Sequence, residues 1–253
     1  MVFSSLFFLY VFLPLNLVFY VFAKDLRAKN TVMIIFSLIF YAWGEPVYLL
    51  LLIAMAFADW LLAQYIGSKP YRSFGARFGL VAACVVNLGL LAVFKYGTFF
   101  AENTHALFGF PAVIPSIALP IGISFYTLQA VSYVIDVYRK EVPAQRNPLY
   151  LGMYIAMFPQ LVAGPIVRYS TIQDQVLNRK ENLRDFCSGV RLFIIGLGKK
   201  VLLANVVAIL AAKMLGMGGS EIGAVGAWAG LLAYTFQIFF DFAGYSDMAI
   251  GLG

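Results

Sequence analysis

Charge is what this chain has least of. Only 12% of its 253 residues are charged and 62% are apolar, with a mean hydropathy of +0.86. A soluble domain of this size cannot hide so much apolar surface, so the chain reads as an integral membrane protein. Alternation is missing too: the apolar stretches are continuous over about 15–25 residues, which favours helices over the roughly ten-residue alternating strands of a barrel. There is one histidine, His105, with no nearby cysteine, Ser–Asp pairing or second histidine, and it is given no catalytic part. The two cysteines, Cys84 and Cys187, lie far apart and have no disulfide or metal spacing, so both are read as apolar side chains and no metal site is expected. No linker, low-complexity tract or clear repeat divides the chain, so residues 1–253 are read as a single transmembrane domain. The first apolar run lacks a basic leader and a small-x-small cleavage site, and is read as a retained first span.

What is present is aromatic and sparsely basic. Phe supplies 24 residues and Tyr 15, and Tyr20, Tyr41, Tyr96, Tyr138 and Tyr150 sit near the ends of apolar runs, where interfacial anchors belong. The net charge of +6 falls mostly in short loops. That is a membrane-orientation signal; no soluble basic domain exists to carry a nucleic acid, and none is expected as a partner.

Spans are expected over 2–23 (Ser4 or Ser5 capping, Pro14 and Asn16 kinking), 31–43, 47–66, 78–94, 117–138, 186–215 and 224–242. Between them lie a basic loop at 24–30, a break at Gly44-Glu45-Pro46, a basic loop at 67–77, a polar outward segment at 97–118 holding Glu102, His105, Pro111 and Pro115, and a Gly-rich turn at 216–223. A polar helix is expected over 168–185. The positive-inside rule puts loops 24–30, 67–77 and 139–149 in the cytoplasm and the N-terminus outside. Since 168–200 is again basic, segment 150–166 must enter the membrane and return, as a re-entrant or half-span element.

That segment holds the stretch Phe158-Pro-Gln-Leu-Val-Ala-Gly-Pro-Ile-Val-Arg168. Pro159, Gly164 and Pro165 deny it a regular helix, and irregular backbone at membrane depth is tolerated only inside protein or along a wet cavity. Gln160 is placed to satisfy freed backbone groups or to contact substrate. Arg168 can bind an anionic group or serve as a positive-inside anchor. In the second notable segment, Asp241 and Asp247 are acidic residues near membrane depth, and such groups face a cavity or a partner. Asp241 and Tyr245 share a face if the stretch is helical. The plainer alternative is that Asp241 and Asp247 cap helix ends or pair with Lys199, Lys200 or Arg168. Asp59 is read as paired or facing the bundle interior, Asp136 as an interfacial ion-pair partner, and Gly226 to Gly230 as a small-xxx-small packing pattern.

Several motifs carry a resemblance. They are Met1-Val-Phe-Ser-Ser5, Phe40-Tyr-Ala-Trp43, Phe94-Lys-Tyr96, Leu119-Pro-Ile-Gly-Ile-Ser-Phe-Tyr126, Ser132-Tyr-Val-Ile-Asp-Val-Tyr-Arg139, Phe158-Pro-Gln-Leu-Val-Ala-Gly-Pro165 and Phe240-Asp-Phe-Ala-Gly-Tyr-Ser-Asp-Met-Ala-Ile-Gly-Leu-Gly253. End to end, the chain resembles the N-terminal half of a membrane-bound O-acyltransferase of the alginate O-acetyltransferase branch. The resemblance implies an all-α polytopic bundle in the bacterial inner membrane. It further implies acetyl transfer from a cytoplasmic donor, such as acetyl-CoA or another acyl carrier, toward an extracytoplasmic polysaccharide, with periplasmic partner proteins and no tightly bound cofactor. Pro159, Gln160, Gly164, Pro165 and Arg168 would then shape the donor path, and Asp241, Tyr245, Ser246 and Asp247 would line or brace the central cavity. The family's catalytic histidine lies in a Trp-His context downstream of the Asp-Phe-Ala-Gly-Tyr-Ser-Asp motif. The chain reaches Gly253 first, so it is read as truncated before that residue and inactive alone. Rival readings keep the family but change the acceptor to peptidoglycan, cellulose or teichoic acid, or replace the enzyme with a non-catalytic membrane scaffold or a transporter.

Overall fold

The computed structural model describes residues 2–108, 118–162, 164–217 and 219–253. The expectations for Pro111 and Pro115, and parts of the broken segment (Ala163) and of the Gly-rich turn (Gly218), fall outside these. The regular structure is all helical, with no strand among the described residues: a π-helical turn Phe8–Phe12, then α1 Leu13–Phe22, α2 Leu26–Gly44, α3 Tyr48–Gly67, α4 Phe74–Phe108, α5 Ile123–Arg139, α6 Pro148–Ala156, α7 Phe158–Leu161, α8 Tyr169–Asn178, α9 Leu183–Gly198, a π-helical segment Lys199–Ala204, α10 Asn205–Leu215 and α11 Gly219–Leu252. Among the described residues, four stretches are long and apolar enough to cross a membrane: Tyr48–Gly67, Phe74–Leu107, Leu183–Leu215 and Ile222–Leu252. The apolar helix Phe8–Phe22 is shorter. The chain is a multi-pass membrane protein.

Two compact units emerge from the contacts. One comprises Phe19–Val162 and Ile166–Arg179; the other comprises Met1–Val18, Ala163–Pro165 and Lys180–Gly253.

In the first unit, α5 is the central element. Its buried residues Ile123, Tyr126, Thr127, Ala130, Tyr133, Val134 and Val137 recur at intervals of three and four, the spacing of one helix face. That face packs against α3, α4, α6 and α8. The core it meets is rich in phenols: Tyr126, Tyr133, Tyr154 and Tyr169 are all buried. The span expected from residue 117 starts only at Ile123, because Pro120 and Gly122 interrupt it. Gly122 has a φ of +77°, and a Cβ there would lie 2.5 Å from the Leu161 carbonyl oxygen. Gly122→Ala should therefore cost about 1–3 kcal/mol, from left-handed strain and a backbone clash. A melting curve in detergent checks this.

Helix α4 runs well past the expected span end at Phe94, to Phe108. Polar side chains in the segment expected to be a loop bond back onto their own helix. Asn103 Nδ2 donates to the Phe99 carbonyl at 2.7 Å and Thr104 Oγ1 to the Phe100 carbonyl at 2.7 Å. His105 thus lies exposed on the last turn of a helix and not in a loop. Asp59 of α3 is buried and accepts a 2.6 Å bond from Asn87 Nδ2 of α4, which is the interior partner expected for it.

In the second unit, Ser5 is the cap: its Oγ accepts from Phe8 N at 3.2 Å. The distortion expected at Pro14 falls on the turn before it. Proline has no N–H and its ring crowds the carbonyl four residues back, which is Tyr10, inside the π-helical turn. The polar helix expected over 168–185 is two helices, because Arg179 leaves the helical region and Asn182 starts α9 by accepting from Asp185 N at 2.7 Å. Gly223, with a φ of +59°, marks the non-helical point at the start of the last span. From there α11 continues through both acidic residues to Leu252, so Asp241 and Asp247 cap no helix end.

Helices α9 and α11 meet through glycine. A Cβ on Gly196 would lie 2.6 Å from Gly244 O, and one on Gly251 would lie 2.5 Å from Gly189 O. Gly189 and Gly196 are seven apart, as are Gly244 and Gly251, so each pair repeats on one face. Gly230 is also close-packed, its Cβ position 2.9 Å from Met214 Cβ, whereas Gly226 meets only Ile222 of its own helix.

Candidate functional site

The expected break in 150–166 is real, and buried side chains satisfy both groups of the helical bond it removes at Met157. An uninterrupted helix would bond Phe158 N–H to the Tyr154 carbonyl. Met157 instead turns to φ −56°, ψ 116°, which ends α6, and Pro159 sits in the first turn of α7. Both freed groups are buried and find side chains. Phe158 N donates to Ser37 Oγ at 3.1 Å. The Tyr154 carbonyl accepts from Gln160 Nε2 at 2.8 Å and from Gln129 Nε2 at 2.7 Å. Gln160 therefore does what irregular buried backbone requires. Ser37 and Gln129, its two co-workers, are not singled out by the sequence, because each comes from a distant helix. Replacing Gln160 by Leu should cost little while Gln129 remains. Replacing both orphans a buried carbonyl and should cost about 1–3 kcal/mol more than the sum of the single changes. A double-mutant cycle on thermal stability reads the difference.

Arg168 lies just before α8 and is half exposed. Its Nη2 donates to Asp136 Oδ1 at 2.5 Å and to Glu141 Oε2 at 3.0 Å. The Asp136 side chain is fully buried, so Arg168 is the counter-ion of an enclosed carboxylate: Asp136 is in an ion pair, as expected, but with Arg168 and not with the neighbouring Arg139, which pairs with Glu141. Hydrogen bonding to Asp136, then the charges of Asp136 and Glu141, raise the guanidinium above its ordinary value. Nε and Nη1 have no partner among the described residues. Chemically, this is a cation fixed on one edge and open on the other.

Next to it stands a hub that sequence reasoning missed. Gln145, in the loop before α6, uses every polar group it has. Its N–H donates to Tyr133 Oη at 2.8 Å, and its carbonyl accepts from Trp60 Nε1 at 2.9 Å and Gln64 Nε2 at 2.6 Å. Its side-chain Nε2 donates to Tyr169 Oη at 2.7 Å, and its Oε1 accepts from Asn147 N at 3.0 Å. The rings of Tyr133, Tyr154 and Tyr169 pack edge to face around this loop. Burial pushes the Tyr169 phenol above its ordinary value, which keeps it neutral. Tyr154 Oη donates to the Val167 carbonyl at 2.8 Å, which anchors the residue before Arg168. One glutamine in a loop leaves no pattern from which this role could be read.

Of the remaining candidates, Pro159 is buried at the start of α7, and Gly164 is buried and Pro165 partly so in the non-helical stretch before α8. In the second unit, Asp241 and Asp247 lie on α11 and pair with consecutive residues of the π-helical segment. Lys200 Nζ lies 2.5 Å from Asp241 Oδ1, and Lys199 Nζ lies 2.6 Å from Asp247 Oδ2. This is the pairing alternative. Tyr245 stacks on Phe3 at 4.7 Å, and Ser246 makes no side-chain hydrogen bond among the described residues. π-Helical turns recur at functional sites, and here one presents two lysines to two acids.

Residues 145–253 match the family described as MBOAT, the membrane-bound O-acyltransferase family. The chain is 40% identical over 257 residues to "Probable alginate O-acetylase AlgI" of Pseudomonas aeruginosa, covering 100% of this chain and 49% of that protein. It is 31% identical over 285 residues to the peptidoglycan O-acetyltransferase of Helicobacter pylori, covering 100% and 54%. It is 29% identical over 141 residues to the teichoic acid D-alanyltransferase of Streptococcus thermophilus, covering 52% and 33%. The chain spans about half the length of the alginate relatives it matches. With the matched region holding Gln145, the broken segment, Arg168 and the lysine–aspartate pairs, the chain matches the membrane-bound O-acyltransferase family over 145–253 and resembles its alginate O-acetylase branch along its whole length.

Proposed function

We propose that this chain serves an O-acyltransferase that moves acetyl groups from a cytoplasmic donor across the bacterial inner membrane, for O-acetylation of an exopolysaccharide. Alginate is the first acceptor to test. The observation that carries this reading is 40% identity along the whole chain to an alginate O-acetylase. In this reading the N-terminus is extracytoplasmic, and loops 24–30, 67–77 and 139–149 face the cytoplasm. Pro159, Gln160, Gly164 and Pro165 shape the donor path. Arg168, held by Asp136, turns its open edge to an anionic part of the donor, such as a phosphate of acetyl-CoA. Asp241, Tyr245, Ser246 and Asp247 brace the central cavity, and periplasmic proteins complete transfer to the polymer. The similarity to a peptidoglycan O-acetyltransferase supports a second reading, in which the acceptor is the cell wall.

The test uses everted membrane vesicles from cells carrying the complete gene, loaded with alginate and the periplasmic extract of an alginate-acetylating strain, and supplied with acetyl-labelled acetyl-CoA. Label entering the enclosed polymer is the expected result. No label above vector vesicles would refute the donor and the acceptor together, and label in peptidoglycan fragments instead would select the second reading.

A further inference from the structure

A cleft of about 490 Å³ opens in the first unit between the N-terminal half of α2 and the start of α6. Its α2 wall is a single stripe of Arg27, Asn30, Thr31 and Ile34, spaced by three, one and three residues. Facing it are Asn147, Leu149 and Tyr150. Arg27 makes no ion pair among the described residues, although its neighbours do find partners: Lys29 lies over the Tyr20 ring and Asn30 is bonded to Val176 and Arg179. Asn147 spends its Oδ1 on Leu149 N, which leaves its amide N–H groups to donate. The Tyr150 hydroxyl likewise has no partner among the described residues.

The lining is graded. From Arg27 to Ile34 is seven residues, about 10 Å of helix, and over that distance it changes from a guanidinium through a hydroxyl to an aliphatic side chain. Leu149 adds a second aliphatic side chain to the lining and is exposed. A free inorganic anion uses only the first part of such a surface. An amphiphile with a phosphodiester head and an acyl chain uses all of it. Basic pockets between membrane helices are where anionic headgroups bind.

The geometry points to a structural binding site for one anionic phospholipid, its phosphodiester held by Arg27, Asn147 and Tyr150 and its acyl chain laid along Ile34 and Leu149. The test is native mass spectrometry of the purified full protein titrated with phosphatidylglycerol or with phosphatidylcholine. One phosphatidylglycerol per chain should be retained in preference to phosphatidylcholine. Arg27→Gln should weaken that retention about fivefold, the effect of one basic residue at a headgroup. Arg77→Gln, which removes an equally exposed charge away from the cleft, should not. Arg27 has no partner to lose, so the variant should melt as the parent does, and Tyr150→Phe gives a second, smaller weakening. Equal retention of the two lipids, or phosphatidylglycerol binding unmoved by Arg27→Gln, would overturn the proposal. So would displacement of the lipid by millimolar inorganic phosphate, which would mark a phosphate site with no use for the chain.

Discussion

Gly244→Ala should lower the melting temperature of the protein in detergent, and Gly244→Val should abolish its accumulation in the membrane. A Cβ on Gly244 would sit 2.8 Å from Gly196 O and 3.0 Å from Lys200 N, both backbone atoms that no rotamer change can move. Helices α9 and α11 would have to separate. In a membrane, helices gain little from hiding apolar surface and depend on close backbone approach, so separation removes what joins them. Overpacking of this kind costs about 1–3 kcal/mol for one methyl, and more for a branched side chain. The same movement would stretch the Lys200–Asp241 and Lys199–Asp247 pairs, which lie on either side of the contact. Gly89 is the control. A Cβ there meets nothing within 4 Å, so Gly89→Ala on α4 should leave stability unchanged or raise it by up to about 1 kcal/mol. Equal melting of the Gly244→Ala and Gly89→Ala proteins would contradict this packing.

Arg168→Ala should reduce acetylation about ten- to a hundredfold, the scale of one lost charge-assisted hydrogen bond. It should also reduce the amount of folded protein, because the Asp136 carboxylate stays buried with no cation. These two effects separate genetically. Adding Asp136→Asn to Arg168→Ala removes the stranded charge and should restore protein level without restoring activity. Arg168→Lys should keep part of both, since an ammonium can reach one carboxylate but lacks the guanidinium's second edge. Full activity of the double variant would limit Arg168 to a structural counter-ion, and the donor-path role would be withdrawn.

The parts of this molecule that could be read from the sequence are those with local causes. Continuous apolar runs announce helices, and Pro159 with Gly164 and Pro165 announces the break. Gln160 could be matched to that break because it stands inside it. Asp59 reads as paired or inward-facing because an acid inside a span requires it, and Asp136 reads as ion-paired because Arg139 and Lys140 follow it by one turn, although its partner is Arg168. What could not be read depends on distant pairing. Ser37 and Gln129 satisfy the two groups freed at Met157, yet each comes from another helix. Gln145 joins α3, α5 and α8 through four hydrogen bonds that no spacing encodes, and a fifth holds Asn147 at the start of α6. Gly189 and Gly196 look like ordinary glycines of an apolar helix until Gly244 and Gly251 are set opposite. The C-terminal part of α4 reads as a loop for the opposite reason: its polar side chains bond to carbonyls four residues back, so loop-like composition sits on a continuous helix.

The most direct measurement is the O-acetyl content of alginate from a producing strain whose own O-acetylase has been deleted and replaced by the complete gene encoding this chain. Acetyl signals restored by the parent gene and lost with Arg168→Ala plus Asp136→Asn, at equal protein level, are what the account predicts. Alginate that stays unacetylated while the parent protein accumulates in the membrane would contradict it.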